Sequence, residues 1–499
     1  MAEMKRLAKE TAIYGLSSII GRFLNWCLVP FYTYVLSSSG EYGIVGELYA
    51  WTAILLVLLT YGMETGFFRF ANKPENNATQ VYSTTLTCVG FTSILFLIVC
   101  TIFLPNISNA LGYEKHPDFL WIMILTVAVD AFSCIPFAWL RFKKRPILFA
   151  ALKLLMIFVN IFLNLFFLWI CPKINVSNPE LISWFYRPDY GVGYVFLANV
   201  LSSMIGLIGL MPTFLGIKWS FSKSLLKEML KYSLPLLVLG VVGIMDQSID
   251  KIMFPHLFED QELARQQLGI YIACFKIGIV MMMFTQAFRY AYEPFVFSKQ
   301  KSADGKKAYV EAMNYYLIFS VFVFLGVMYF LDVLQYLLRS NYREGLVVVP
   351  IILICYIFQG IYFNLSFWYK LTDRTKWGAY ISFIGLFITI AGNLLFVPGY
   401  GYIAAAWTSL ASFFVIMIVS WALGQKYYPI PYNLKLAARY VLIGFIFYIA
   451  GMCVPISSIY LRLGYRTFLL LLFILYVLWK DIPAGSIPYV SKFVKKKHD

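Results

Sequence analysis

Residues 141–170 read RFKKR followed by PILFAALKLLMIFVNIFLNLFFLWI: five positions carrying four cations, then twenty-five carrying one ionisable side chain, Lys153. A helix needs ~20 apolar residues to cross a hydrocarbon core of about 30 Å. The second part is therefore long enough to span a bilayer. The first part is a basic cluster that stays on one side of it.

The same alternation runs along the whole chain. Apolar stretches occupy about 11–36, 43–68, 81–104, 119–140, 146–170, 190–217, 232–254, 267–296, 309–336, 346–369, 377–397, 401–424, 439–454 and 457–479. With 61% apolar and 13% charged residues and a mean hydropathy of +0.73, the chain lies far from the roughly 25% charge of soluble domains. It reads as an all-α polytopic membrane protein of about fourteen transmembrane helices.

With the N-terminus in the cytoplasm, 28 of the 41 Lys and Arg flank spans on the cytoplasmic side and 8 on the outer side. That bias places both termini on the cytoplasmic side of the membrane. It also accounts for the net charge of +16 through anionic membrane lipids, with no nucleic acid involved. The first stretch contains Arg22 and Asn25 and no small-residue cleavage site, so it reads as a span and not as a cleaved signal. The eight cysteines show no CxxC spacing and read as reduced packing thiols. Lys495-Lys496-Lys497 has the form of a dilysine retrieval signal, or of a solvated basic tail.

A shift of about 225 residues lays the chain on itself. Gly15 then falls on Gly240, Asn25 on Asp250, and Pro30 on Pro255. At offsets that range from 208 to 229, Tyr42-Gly43-Ile44 matches Leu268-Gly269-Ile270, Asn164-Leu165 matches Asn393-Leu394, and Gly191-Val192-Gly193-Tyr194 matches Gly399-Tyr400-Gly401-Tyr402. An even number of spans per half makes the repeats parallel, the arrangement in which cargo sits between lobes that rock. The expected organisation is an N-lobe over 1–217, an amphipathic cytoplasmic linker helix over 218–231, a C-lobe over 232–425, and two further helices with a basic tail over 426–499.

In several segments the sequence resembles the multidrug/oligosaccharidyl-lipid/polysaccharide (MOP) exporters, in their bacterial polysaccharide-transporter or O-antigen flippase branch. The segments are Tyr14-Gly15-Leu16-Ser17-Ser18, Tyr61-Gly62-Met63-Glu64-Thr65-Gly66-Phe67-Phe68-Arg69-Phe70, Gln286–Phe295, and Asn393 with Gly399-Tyr400-Gly401 and Ala404-Ala405-Ala406. The resemblance covers about 5–425. It implies two six-helix lobes of the drug-transporter and lipid-flippase type, and a cargo of oligosaccharide on a polyprenyl pyrophosphate carrier. The polymerase and glycosyltransferases of the same polysaccharide pathway would be partners. The lipid II flippase, a relative of that branch, places arginines of its first and eighth helices in a central cavity. Arg22 and Arg289 lie on the corresponding helices of this chain.

Independently of any family, an ionisable side chain in hydrocarbon costs several kcal/mol and so faces protein or water. Arg22 lies about eleven residues into its span, ~17 Å deep. It reads as a pyrophosphate-binding cation, with Asn25 beside it, or as half of a salt bridge to a neighbouring helix. Lys276 and Arg289 are the other substrate-binding candidates, Arg289 with the alternative of a local pair to Glu293 four residues on. Several cations in one cavity suit a diphosphate, because guanidinium groups bind phosphate oxygens in a bidentate way. They suit a cationic drug badly.

Asp246 and Asp250 share a helix face, and two carboxylates in a low dielectric call for a cationic partner, Lys251 or Lys276. They read as coupling or gating groups, together with Asp130 and with Glu64, which could meet Lys153. Glu47 reads as solvated near the outer surface. Asn160 and Asn164 read as helix–helix hydrogen bonders.

No GxxxxGK[ST] loop is present, and His116, His256 and His498 form no metal motif. The outer loops are too short for a membrane sugar polymerase or ligase. The expected function is a flippase and not an enzyme, needing no cofactor beyond H+ or Na+ as coupling ion. The competing reading is a drug or organic-cation antiporter driven by H+ or Na+.

Overall fold

The computed structural model describes residues 20–299, 305–372, 374 and 376–481, and every regular element among them is helical. The Tyr14–Ser18 motif, the tail lysines and the Glu293 side chain lie outside the described residues. Among the described residues twelve helices are long and apolar enough to cross a membrane, so the chain is a multi-pass membrane protein.

The chain begins with α1 (20–35), α2 (Ser39–Thr60), α3 (Met63–Ala71), α4 (Ala78–Ile102), α5 (Leu104–Ala110) and α6 (Pro117–Phe142). The opening quotation becomes α7 (Pro146–Leu165), which passes through a π turn at Phe166–Ile170 into α8 (Cys171–Ser177). α9 (Gly193–Leu210), α10 (Lys223–Met253), α11 (Gln261–Lys299), α12 (Gly305–Tyr329) and α13 (Leu331–Leu334) follow. The chain continues with α14 (Val349–Leu365), α15 (Phe367–Leu371), α16 (Lys376–Tyr427), α17 (Leu434–Cys453) and α18 (Ile459–Lys480).

Glycine explains two breaks inside these spans. The second expected span divides into α2 and α3 where Tyr61 and Gly62 take φ of 31° and 70°. That left-handed turn costs glycine little, and it sets α3 against α10: a Cβ on Gly62 would meet the Ser233 carbonyl oxygen at 3.0 Å, and one on Gly66 the Ser233 hydroxyl at 2.5 Å. The 52-residue α16 breaks at Gly401 (φ 61°, ψ −146°). The chain doubles back there, since a Cβ on Gly392 would touch the Thr408 side chain.

The linker differs from expectation. Residues 218–222 form no helix; they run along α4, with the Ser220 amide donating to Ser83 Oγ (3.0 Å) and the Ser222 amide to Thr84 Oγ1 (3.2 Å). Ser222 then caps α10, accepting from the Leu225 amide, and the helix continues without interruption into the seventh span. Lys223, Lys227 and Lys231 are thus the first turns of a transmembrane helix.

Residue contacts divide the chain into two compact units whose limits differ from the expected lobes. The first holds residues up to Ala273 together with Ser382–Thr408; the second holds Cys274–Ile381 and residues from Ser409 on. α10 and the head of α11 group with α2 and α3 because glycines let these backbones meet. A core of Met63, Phe67, Tyr82, Ile135 and Met229 anchors the first unit, with Tyr82 stacked on Trp139 at 4.4 Å.

In the second unit, α17 and α18 pack on α12 through Tyr329, Tyr440 and Phe473. Arg466 on α18 is 4% exposed. Its guanidinium donates to the carbonyls of Gly451 (3.0 Å) and Tyr329 (3.1 Å) and to the Asp332 carboxylate (2.8 Å), which also pairs with Arg462. Removing one partner of a buried pair costs about 3–5 kcal/mol. The half-solvated Asp332 places this pair toward the lower end of that range. Asp332→Ala is expected to lower the thermal midpoint of the purified protein by several degrees, and Asp332→Asn by less. An unchanged midpoint in both variants would remove this pair from the forces docking α18.

Candidate functional site

The closest helix crossing in the first unit joins α2 to the head of α11, and it has two-fold character. A Cβ on Gly43 would fall 2.1 Å from the carbonyl oxygen of Arg265, and one on Gly269 would fall 1.8 Å from the carbonyl oxygen of Ser39. Residue 265 lies one turn before 269, and 39 one turn before 43. Gly43 and Gly269 are separated by 226 positions, as are Ser39 and Arg265, close to the offset of the internal repeat. Gly46 faces Ile272, again 226 positions on, where a Cβ would meet Ile272 Cδ1 at 1.9 Å. Each repeat thus presents to the other the surface it receives, the reciprocity of a two-fold interface. Small residues permit such contact between membrane helices.

A second pair of contacts obeys the same symmetry. Gly191 (φ 46°) opens α9 with the Glu41 carboxylate 3.0 Å from its virtual Cβ; Gly401 (φ 61°) opens the second half of α16 with the Gln267 amide oxygen at 2.2 Å. Glu41 and Gln267 are also 226 apart. The backbone therefore equates Gly191 with Gly401, two positions from the Gly399 register expected above.

Beside this crossing lies a polar cluster that the sequence reading missed. Glu47, expected to be solvated, is completely buried. Its Oε2 accepts a 2.7 Å hydrogen bond from the Tyr113 hydroxyl and lies 3.6 Å from Arg265 Nε, and its Oε1 has no hydrogen-bond partner. The Arg265 guanidinium stacks over Tyr113 at 4.4 Å and donates to the carbonyls of Leu111 and Gly112, both at 3.2 Å. The α5–α6 connection thus covers Glu47. Span depth counted along the sequence carries no trace of that cover; the Gly43/Gly269 repeat match was the available signal that helices meet here.

On α10, Asp250 is buried and accepts from the Lys251 ammonium at 2.9 and 3.0 Å and from the Tyr271 hydroxyl at 3.3 Å. Lys251 is one of the two cations expected to serve it. Asp246, one turn earlier, accepts from the Thr389 hydroxyl at 3.4 Å. Glu64 pairs with Arg141 and accepts from Cys134 (3.0 Å), not from Lys153. Lys153 rests on the Phe137 ring at 4.0 Å and is, with Ser203, a polar neighbour of Asp130. Asn164 fulfils the helix–helix reading: it accepts from the Tyr32 hydroxyl at 3.0 Å and donates to the Asn160 carbonyl at 2.8 Å, joining α1 to α7.

Arg22 and Asn25 lie three apart on α1, hence on one face, and both are exposed. Gly21 beside them packs against Ile157 of α7. Among the described residues no carboxylate pairs with Arg22. Lys276 and Arg289, both on α11 in the second unit, are half-buried. The Arg289 guanidinium lies over the Phe363 ring at 4.4 Å. Thirteen residues of helix put these two cations about 20 Å apart along the axis, too far to grip one diphosphate together. Among the described residues no group of three or more His, Cys, Asp or Glu side chains could hold a metal ion.

Comparison with solved structures identifies the fold. The lipid II flippase MurJ, in an inward closed conformation, superposes with a TM-score of 0.73 over 94% of this chain and 99% of its own, at 12% identity. An inward-facing MATE multidrug transporter of the MOP superfamily gives 0.64 over 87% and 98%, at 13% identity. The MATE transporter DinF-BH, in complex with R6G, gives 0.57 over 84% and 95%, at 16% identity. No family profile and no curated protein matches the sequence. The fold is the one that these solved structures share.

Proposed function

We propose that the chain is a flippase that carries oligosaccharide on a polyprenyl pyrophosphate from the inner to the outer leaflet of a bacterial cytoplasmic membrane. The observation that carries this reading is Arg22, an exposed guanidinium within a span and without a counter-ion among the described residues. A cation so placed in hydrocarbon calls for water or an anion, and a pyrophosphate is an anion that a lipid carrier brings to that depth. The extent of the fold agrees: the lipid flippase accounts for 94% of the chain, the two drug transporters for 87% and 84%.

The cations divide the work. Arg22 with Asn25 meets the pyrophosphate, while Lys276 and Arg289, too far apart to share it, meet cargo at different depths or stages. Asp250, held by Lys251 and Tyr271, is structural in this arrangement. Asp246, Glu64 and Asp130 remain the candidates for gating, or for coupling to H+ or Na+. The crossing of α2 and α11 is the closure of the outer side. Reading the basic loops as cytoplasmic puts both termini inside.

The competing reading, ion-driven export of an organic cation, shares the fold and differs in the charge of the cargo. The test is reconstitution into liposomes with labelled polyprenyl-pyrophosphate oligosaccharide, and in parallel with a cationic dye under H+ and Na+ gradients. Arg22→Glu is expected to reduce lipid-linked flipping by about a hundredfold or more, since it replaces a charge-assisted contact with repulsion; Arg22→Lys should retain part of it. Dye movement without lipid flipping would establish the antiporter. Full flipping by Arg22→Glu would remove Arg22 from the cargo path.

A further inference from the structure

We infer that the first unit carries a dedicated site for the headgroup of an anionic phospholipid, separate from any cargo path, at the end of the bundle where the basic loops gather. The site is a cavity of about 790 Å³ bounded by the start of α4, the end of α6, the start of α7, the end of α9 and the 214–222 connection. Its charged lining consists of Lys143, Arg145 and Lys218, with no carboxylate. Among the described residues, none of the three forms an ion pair. Three unneutralised cations around one hollow repel one another, a cost that an anionic occupant offsets.

The rest of the lining suits phosphate oxygens. Asn77, Thr79 and Gln80 bring the N-terminal turn of the 25-residue α4 to the cavity wall, where the helix dipole favours negative charge. Thr213 and Ser220 add hydroxyls. The walls are fixed before any ligand arrives. Trp139 is clamped on Tyr82 and carries the Lys143 ammonium 4.6 Å above its own ring. The 218–222 strip is pinned to α4 by Ser83 and Thr84 and by the Gln80–Ser220 hydrogen bond of 3.1 Å. A preformed pocket of this size falls in the range of specific ligand sites, about 300–1,000 Å³.

The rim says which kind of anion is meant. Leu148 at the mouth is 39% exposed, and Leu215, Trp219 and Phe221 on the bordering connection are 72%, 58% and 54% exposed. A soluble phosphate has no use for an apolar rim. A phospholipid places its headgroup among the cations and its acyl chains along those side chains, with the tryptophan at the interface where its amphipathic ring is favoured. Basic pockets between transmembrane helices bind anionic headgroups by this combination. A headgroup with two phosphates would engage all three cations at once.

The experiment uses the full chain in nanodiscs of phosphatidylcholine doped with phosphatidylglycerol or with cardiolipin. Lipid retained after gentle extraction is counted by native mass spectrometry, beside the thermal midpoint in each membrane. The expected result is retained anionic lipid, cardiolipin over phosphatidylglycerol. Its affinity should fall by about tenfold or more in K143Q/R145Q/K218Q, at roughly the cost of three lost surface charges. R145Q and K218Q singly, each a smaller perturbation of the fold, are expected to show partial losses. Charge-matched K376Q/K426Q/K435Q on other loops should leave retention unchanged. Equal losses in that control would overturn the site in favour of diffuse attraction. Stabilisation by inorganic pyrophosphate equal to that by lipid would overturn the lipid assignment in favour of a soluble anion. Transport is not the readout, so failure of the flippase reading and failure of this one are distinguishable.

Discussion

Gly269→Ala is expected to hold α2 and α11 apart and, on the flippase reading proposed above, to remove transport almost completely, although it adds one methyl group. The new Cβ would lie 1.8 Å from the Ser39 carbonyl oxygen, 2.8 Å from its carbon and 3.0 Å from the Gly43 amide nitrogen. All three are backbone atoms, so no side-chain rotation relieves the clash. Ordinary contact begins at 3.4 Å, and the helices must separate by about 1.5 Å to reach it, which forfeits dispersion contact along the whole crossing. Gly43→Ala, 2.1 Å from the Arg265 carbonyl oxygen, should behave alike because the two positions are equivalent across the repeat. Gly216→Ala, whose Cβ would meet nothing within 4 Å, is the control. The measurement is flipping in liposomes together with labelling of a cysteine at Ser39 by a membrane-impermeant maleimide. Labelling should rise by about tenfold or more in the Gly269→Ala background, as expected when a close-packed small-residue contact is lost. Wild-type labelling and transport in that background would show that the crossing does not act as a closure.

Much of this architecture is legible in the sequence because hydrocarbon is an unforgiving solvent. A span must be long and apolar and its basic flanks must alternate, so 141–170 and its counterparts declare themselves. The repeat is legible too, and the structure gives it physical content: the Gly43/Gly269 match marks two surfaces that touch each other. What the sequence withholds is the partner of each polar group. Glu64 chose Arg141 over Lys153 because the end of α6 lies beside α3, a fact of packing and not of spacing. Glu47 was misread because depth along a helix says nothing of what another loop lays over it. The linker reading fails because Lys223, Lys227 and Lys231, at a helical spacing, describe the first turns of α10 as well as they describe a surface helix. Gly399 and Gly401 sit two apart in one motif, and only the backbone conformation tells which of them answers to Gly191.

The Glu47–Tyr113–Arg265 cluster supplies the second large effect. Arg265→Met removes the cation from a carboxylate that is 0% exposed, and stranding one partner of a buried pair costs about 3–5 kcal/mol. That cost falls on the closed crossing alone, because separation of α2 from α11 lets water reach Glu47. The closed form should therefore lose a factor of roughly a hundred to a few thousand in population at 1.4 kcal/mol per decade. Glu47→Gln should be far milder. The amide oxygen still accepts from Tyr113, and Arg265 keeps its bonds to Leu111 and Gly112 and its stack on the Tyr113 ring. The decisive variant is the double one. With the carboxylate neutralised, loss of the guanidinium no longer strands a charge, so Glu47→Gln/Arg265→Met should recover most of what Arg265→Met loses. Hydrogen exchange over Ser39–Leu48 and Gln261–Ile272, read beside Ser39 labelling, measures closure directly. Additive losses in the double variant would mean that the two side chains act separately. Closure would then rest on the glycine crossing, with Glu47 held by Tyr113 alone.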